Sequence, residues 1–298
     1  MLRTKIGDFP VGFRLGWSDW QKDIPAVCRF AKESGFEFLD VPMEDIGIVR
    51  QVLAAGLGVG TFDLPRPWEL FASAEPGRRK AMVEKAAGLI RSCAALGVKT
   101  FFAVAFPDDP ARKRSESLPL AAAGFAELCS AISDTPAKIA LEGWPGSPPH
   151  FSALACTPES IRALFDAIGS PMMGINFDPS HLIRMGIDPV RFAGEFAGRI
   201  WHVHAKDTEI SAEALYEFGN LQSATLAAPH GYGGHHWRYT IPGHGNAPWP
   251  VLLKTLKDCG YAGGISVELE DEQYNGTEAG EKRGLLESLA FLRTTTED

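Results

Sequence analysis

Apolar positions in this 298-residue chain follow two alternating rhythms. Amphipathic stretches with helical spacing stop at a glycine, and a short run rich in β-branched and aromatic residues follows within a few positions. Six junctions obey this grammar: Gly35 before Phe36–Val41, Gly56 before Leu57–Thr61, Gly97 before Val98–Val104, Gly169 before Met173–Phe177, Gly198 before Arg199–His204, and Gly260 before Ile265–Leu269. Glycine suits the left-handed residue that ends a helix. At helix starts, Thr157-Pro158 and Asp188-Pro189 place a capping oxygen ahead of a proline, whose fixed φ and missing N–H are harmless at the first helical position. Adding Phe13–Gly16 as a first strand and Lys138–Leu141 as the fifth gives eight β-runs alternating with helices. The pattern predicts α/β architecture: a single (β/α)8 TIM barrel of parallel strands over residues 1–298, since about 250 residues is typical of that fold and the rest is loop insertion. The competing arrangement is an open doubly wound sheet. Its usual nucleotide signatures, Gly-x-Gly-x-x-Gly after the first strand and Gly-x-x-x-x-Gly-Lys-Ser/Thr, are missing.

Composition narrows the function classes. Hydrophobic content of 45% with 22% charged residues is that of a globular chain and excludes disordered and fibrous classes. Lys and Arg number 29 against 37 Asp and Glu, a net charge of −8 that repels nucleic acid and anionic membranes at long range. No apolar run has the length of a membrane span or a signal peptide, so a cytoplasmic protein with neither nucleic-acid nor membrane partners is expected. The cysteines Cys28, Cys93, Cys129, Cys156 and Cys259 are scattered singly, which signals neither a disulfide framework nor a thiolate zinc site.

Irregular segments fall at Pro107–Leu118, Trp144–Thr157 and Gly219–Pro250, where strands four, five and seven end and where a barrel builds its active site. The third holds the tract Pro229–Trp237, with three histidines among glycines. It reads as a gating lid or as a metal-binding tract, the lid suiting mobile glycine-rich backbone better.

Four consecutive strands end in a metal-capable side chain: Ala140-Leu141-Glu142, Asn176-Phe177-Asp178, His202-Val203-His204 and Val267-Glu268. A charged residue ending an apolar strand loses solvation worth several kcal/mol unless it is paired or coordinated, and a shared divalent cation removes that penalty for all four. Alternation with period two puts Ala140, Asn176, His202 and Ser266 one layer below on the same face, where Asn176 and His202 orient the ligands. His204, nearer the strand end, is the better ligand of the histidine pair. The bland alternative is that each acidic residue caps a following helix or pairs with a basic neighbour.

These residues resemble the xylose-isomerase-like barrels grouped as sugar phosphate isomerases and epimerases. The resemblance spans nearly the whole chain and is strongest over Asn176–His181, Trp201–Asp207, Arg238 through Gly245, and Gly260-Tyr261 through Asp271. It implies that Glu142, Asp178, His204 and Glu268 are the ligands of one metal ion, that His181 contacts substrate, and that Arg238 belongs to the substrate loop. The further glutamate that epimerases carry after the fifth-strand ligand is absent from Trp144-Pro145-Gly146-Ser147-Pro148-Pro149.

Three carboxylates and one imidazole form a hard, oxygen-rich site that suits Mn²⁺ first, with Mg²⁺, Co²⁺ or Zn²⁺ as substitutes. The expected function is a divalent-metal-dependent isomerase or epimerase in carbohydrate metabolism. It acts on a small sugar, keto sugar or sugar phosphate through a metal-stabilised enediolate, with Glu142 and Glu268 as the acid/base pair. His181 and Lys206 hold substrate hydroxyls or a phosphate, and an equal alternative makes Lys206 and Asp207 a loop salt bridge. A lyase that expels a β-substituent from the same enolate is the second reading. An endonuclease-IV-like nuclease is disfavoured by the charge and by the lack of histidines in Gly60–Asp63 and Val104–Phe106. The partner is a small carbohydrate, and homo-oligomerisation stays open.

Overall fold

The structure, a computed structural model, describes residues 3–146, 152–221 and 224–297. Seven parallel strands come first: β1 (Val11–Arg14), β2 (Phe38–Val41), β3 (Gly58–Asp63), β4 (Thr100–Ala103), β5 (Lys138–Glu142), β6 (Met173–Phe177) and β7 (Ile200–Ala205). An antiparallel hairpin comes next, β8 (Asp207–Ile210) with β9 (Trp237–Thr240), and then β10 (Ile265–Val267). Strands β1 to β7 and β10 close into a barrel in the order β1-β10-β7-β6-β5-β4-β3-β2. Parallel neighbours need a crossover. Helices supply it: α1 (Ile24–Ser34), α2 (Ile46–Ala54), α3 (Pro76–Ala94), α4 (Arg114–Ala131), α5 (Pro158–Ile168), and the pair α6 (Pro179–Arg184) and α7 (Pro189–Phe196). Later come α8 (Ala212–Phe218), α9 (Trp249–Asp258) and, after the last strand, α10 (Glu278–Thr294).

The expected grammar holds with local differences. Five of the six junction glycines have φ between 66° and 92°. Gly198 instead sits inside the 3₁₀ turn Ala197–Arg199, so the chain passes into β7 without a left-handed residue. Strand β1 lies two residues earlier than Phe13–Gly16, because the Gly16 N–H is taken by the Gln21 side chain and cannot extend a ladder. The segment Pro107–Leu118 is irregular only up to Lys113, where α4 begins. Of the segment Trp144–Thr157, residues 147–151 lie outside the described residues. Thr157 caps α5 through a reciprocal box with Ser160, and the Asp188 side chain accepts the N–H groups of Val190 and Arg191.

Cα packing groups the chain into two compact units. One comprises Val41–Phe177 and Gly198–His202. Its core is a row in register across neighbouring strands, Phe62, Phe101, Ile139 and Met173, none of it accessible to solvent. Burial of each such side chain contributes roughly 1.5–3 kcal/mol. Helix α4 lies against the 3₁₀ turn Trp68–Ala72, with Phe125 stacked on Phe71 at a centroid distance of 5.1 Å. That approach requires Gly124, where a Cβ would fall 1.9 Å from the Phe71 carbonyl oxygen.

The other unit comprises Met1–Asp40, Asp178–Ala197 and Val203–Asp298. Phe13 packs edge-on against Phe36 and Phe30 at 4.9 and 6.2 Å. Helix α10 buries Leu285, Leu289 and Leu292, a stripe at helical spacing. Among the described residues, no helix is long and apolar enough to cross a membrane.

Gly124 and Gly88 give opposite expectations. Gly88 sits on the exposed side of α3 with open space where a Cβ would go. Gly88→Ala should stabilise by about 0.5–1 kcal/mol through helix propensity, whereas Gly124→Ala should destabilise by about 1–3 kcal/mol through overpacking. Urea midpoints of the two variants should move in opposite directions, and a shift of the same sign in both would contradict the close approach of α4.

Candidate active site

The ends of β7 and β10 lie side by side, with Ser266 in register with His204 and Val267 with Ala205. Period two along β7 puts His202, His204 and Lys206 on one face. Lys206 is 1% exposed, and its Nζ lies 2.5 Å from Glu268 Oε2, 2.8 Å from Glu270 Oε2 and 3.3 Å from Asp178 Oδ2. Burial acts to lower the Lys206 pKa, but Glu268, Glu270 and Asp178 outweigh it and hold the ammonium well above the usual lysine value. Burial likewise raises Glu268, and Lys206, then His204 and Arg14, overcome it and hold this carboxylate well below its usual range. Arg14, at the end of β1, completes the pairing with Nε 3.3 Å from Glu268 Oε1.

His204 is fully buried between two carboxylates. Nδ1 is 3.4 Å from Glu268 Oε2, and Nε2 is 3.4 Å from Asp40 Oδ2 at the end of β2. His204 thus has one carboxylate beside each ring nitrogen, and on the Nδ1 side its hydrogen bond helps to hold Glu268 ionised.

A second chain of contacts reaches Asp178 from the hairpin. Arg184 Nη1 donates to the Tyr239 hydroxyl oxygen at 2.8 Å, and that hydroxyl lies 2.7 Å from His181 Nδ1. The other ring nitrogen of His181, Nε2, faces Asp178 Oδ2 at 3.4 Å, and when the hydroxyl donates to Nδ1 the imidazole proton sits on Nε2. The Lys206 ammonium lies 4.4 Å from the Tyr239 ring centroid, a cation–π contact. Burial pushes the Tyr239 phenol up, so it stays protonated.

Glu142 ends β5 in register with Asn176 on β6, and Asn176 Nδ2 donates to Glu142 Oε1 at 2.7 Å. Alternation alone sets Asn176 level with Ala140. The stagger of neighbouring barrel strands pairs Ala140 with Gly174 and lifts Asn176 to the level of Glu142. One ligand atom each from Asp178, His204 and Glu268 lie within 4.8 Å of one another. The donors suit a divalent cation. Asp178 Oδ2 is buried without a hydrogen bond, and three carboxylates (Asp178, Glu268, Glu270) against Lys206 and Arg14 leave one negative charge.

Other expectations meet different partners. Arg238 is spent on the hairpin: Nε bonds Glu209 across the ladder at 2.8 Å, and Nη1 reaches Asp271 at 3.2 Å. Alternation along β9 turns Tyr239, not Arg238, toward Lys206. Lys206 and Asp207 do not pair as a loop salt bridge. The Asp207 carboxylate accepts the N–H groups of Thr208, Gly243 and Ala247 and the Trp249 indole N–H, fastening the loop after β9. The tract Pro229–Trp237 is anchored through His230 Nδ1 and the Gly231 N–H on Glu272, at 2.8 and 2.9 Å. Among the described residues, its histidines join no metal-capable group. Sequence reasoning passes over Arg14, Asp40 and Tyr239. Period two is the available signal for Asp40 and Tyr239.

The family description "xylose isomerase-like TIM barrel" matches residues 28–295. The chain belongs to that family. YfiH of Bacillus subtilis (strain 168) is 37% identical over 136 residues, which is 45% of this chain and 40% of that protein. Inosose dehydratase of Clostridium perfringens (strain ATCC 13124) is 28% identical over 123 residues, 41% of this chain and 39% of that enzyme. The matched stretch thus spans about two fifths of the length of these curated relatives. D-psicose 3-epimerase from Clostridium cellulolyticum H10, solved with D-tagatose, shares the fold with a TM-score of 0.68 at 15% identity, covering 97% of this chain and 100% of that one.

Removing Lys206 leaves buried carboxylates facing one another. Lys206→Met should lower stability by about 3–5 kcal/mol, the usual effect of breaking a buried ion group from one side. The readout is the urea midpoint of metal-free protein at neutral pH, and a loss below about 1 kcal/mol, the range of an exposed pair, would assign Lys206 to the surface.

Proposed function

We propose that this protein is a divalent-metal-dependent isomerase or epimerase of a small sugar, keto sugar or sugar phosphate, working as one catalytic domain over residues 1–298. The observation that carries the reading is the convergence of strand-end ligand atoms from Asp178, His204 and Glu268, to which family membership adds Glu142 at the end of β5 as the fourth ligand. Mn²⁺ fits these donors best, followed by Mg²⁺. When bound, such a cation supplies Lewis-acid polarisation of a substrate carbonyl.

The chain's own groups handle the proton. Glu142, steadied by Asn176, accepts a proton from the carbon next to the carbonyl. A proton returns by way of Glu268 from the Lys206 ammonium 2.5 Å away, the lysine supplying it because Glu268 is ionised at rest, and solvent restores the ammonium. Each transfer is worth roughly 10²- to 10⁴-fold in rate. His181 is held in one tautomer by Tyr239 and orients substrate hydroxyls through Nε2. A proton that leaves on one carboxylate and returns from another exchanges with solvent between turnovers.

Similarity to inosose dehydratase favours a second reading, in which the same proton abstraction is followed by loss of a β-hydroxyl as water. The two differ in product: an isomer of unchanged mass or a dehydrated ketone.

The test is turnover in D₂O with Mn²⁺ on a panel of ketoses, inososes and their phosphates, read by mass spectrometry and NMR. Deuterium should enter at the reacting carbon, and Glu142→Gln should reduce turnover by 10²-fold or more, in line with the roughly 10²- to 10⁴-fold of a general base. Calorimetry on chelator-stripped protein should show Asp178→Asn weakening Mn²⁺ binding at least tenfold. Full turnover with no solvent label, and with Glu142→Gln unaffected, sinks the proton-transfer reading.

A further inference from the structure

A cavity of about 320 Å³ opens beside Glu268 and Arg14 and runs outward past Trp17 toward Tyr232. That volume falls at the lower end of small-molecule sites, about 300–1,000 Å³. A second, more open cavity of about 500 Å³ also has Trp17, Ser18 and Gly276 in its lining. Trp17 is 63% exposed, although it lies just beyond a strand whose apolar residues are buried. An exposed aromatic side chain lining a polar cleft is a surface for an apolar, rigid ligand face.

The wall behind Trp17 is built and held. Glu281 of α10 is 3% exposed, and its Oε2 accepts from Ser18 Oγ and Trp20 Nε1 at 2.6 Å each and from Gln21 Nε2 at 3.0 Å. Gln21 Oε1 in turn accepts the Gly16 N–H at 2.5 Å. The turn that carries Trp17 is therefore fixed from both sides before any ligand arrives, and pre-organisation of this kind lowers the ordering cost of binding.

Charge decides which ligand fits. Among the described residues lining the 320 Å³ cavity, the carboxylates are Glu268, Glu270 and Glu281, and the one cation is Arg14, which already faces Glu268. A phosphate placed there meets carboxylates with no unspent cation. A neutral pyranose offers hydroxyls as donors to Glu270, whose side chain is partly exposed, and an apolar C–H face to Trp17.

We propose that the groove past Trp17 binds an uncharged sugar ring joined to the reacting unit, so the substrate is an unphosphorylated glycoside larger than a monosaccharide. The proposal rests on the functional reading above for the identity of the reacting unit, while the groove itself is independent of the metal.

Saturation-transfer NMR and calorimetry with cellobiose, maltose, sucrose, glucose, fructose and glucose 6-phosphate test it on the full chain, with and without added Mn²⁺. At least one disaccharide should bind tenfold or more tighter than its component monosaccharides and than glucose 6-phosphate. Trp17→Ala should bring that ratio to within about twofold, with Mn²⁺ affinity and thermal midpoint unchanged, since the side chain is largely exposed. Trp17→Phe should restore part of the preference. The proposal is overturned if glucose 6-phosphate binds as tightly as the best disaccharide, if Trp17→Ala leaves the ratio intact, or if no disaccharide binds more tightly than 10 mM. A disaccharide preference that persists in protein with no affinity for Mn²⁺ would retire the metal reading and leave the groove standing.

Discussion

A buried ammonium sets the terms for this site. Lys206 stands among Glu268, Glu270 and Asp178, and without it those carboxylates, drawn from two strand ends and a loop, would repel one another in a medium that screens poorly. Its presence lets acidic residues crowd together. The group is under-neutralised, since Arg14 answers one further charge and one remains.

Adjacent residues on a strand point to opposite faces, and the pair Lys206-Asp207 divides its work accordingly. The lysine turns toward the strand-end carboxylates. The aspartate turns away and ties down the backbone at Gly243 and Ala247 with the Trp249 indole. The two opposite charges ignore each other, and each serves a separate structure. The hairpin that begins at Asp207 returns Tyr239 to within hydrogen-bond reach of His181, so the fastening of the loop and the tautomer of a site histidine share one short stretch of chain.

Much of the barrel is legible in the sequence because local rules and the fold agree: helix, glycine stop, short apolar run, repeated. The gathering of Asp178, His204 and Glu268 is legible for a related reason, since charge at the end of an apolar strand is a local anomaly that repeats. Other features are hidden for definite reasons. Asp40 precedes a final Val41 in an apolar run, so the strand reads as ending on an apolar residue. Arg14 reads as strand interior because the apolar pattern sets β1 two residues late. The β8–β9 hairpin joins segments separated by a long glycine- and histidine-rich stretch, and short-range pattern does not reveal such pairing. Arg238 draws attention through family likeness, while the side chain one position on faces the site.

The contact between Ser18 and Glu281 joins residues 263 positions apart. Contacts of that separation form late, both on the ribosome and in refolding, because the closure entropy of the loop must be met first. A nascent chain that has emerged through Glu268 already carries every candidate ligand, yet the turn bearing Trp17 has no carboxylate to hold it. The ligand set of the proposed metal site is thus complete in the growing chain before the helix that holds the Trp17 turn has been made.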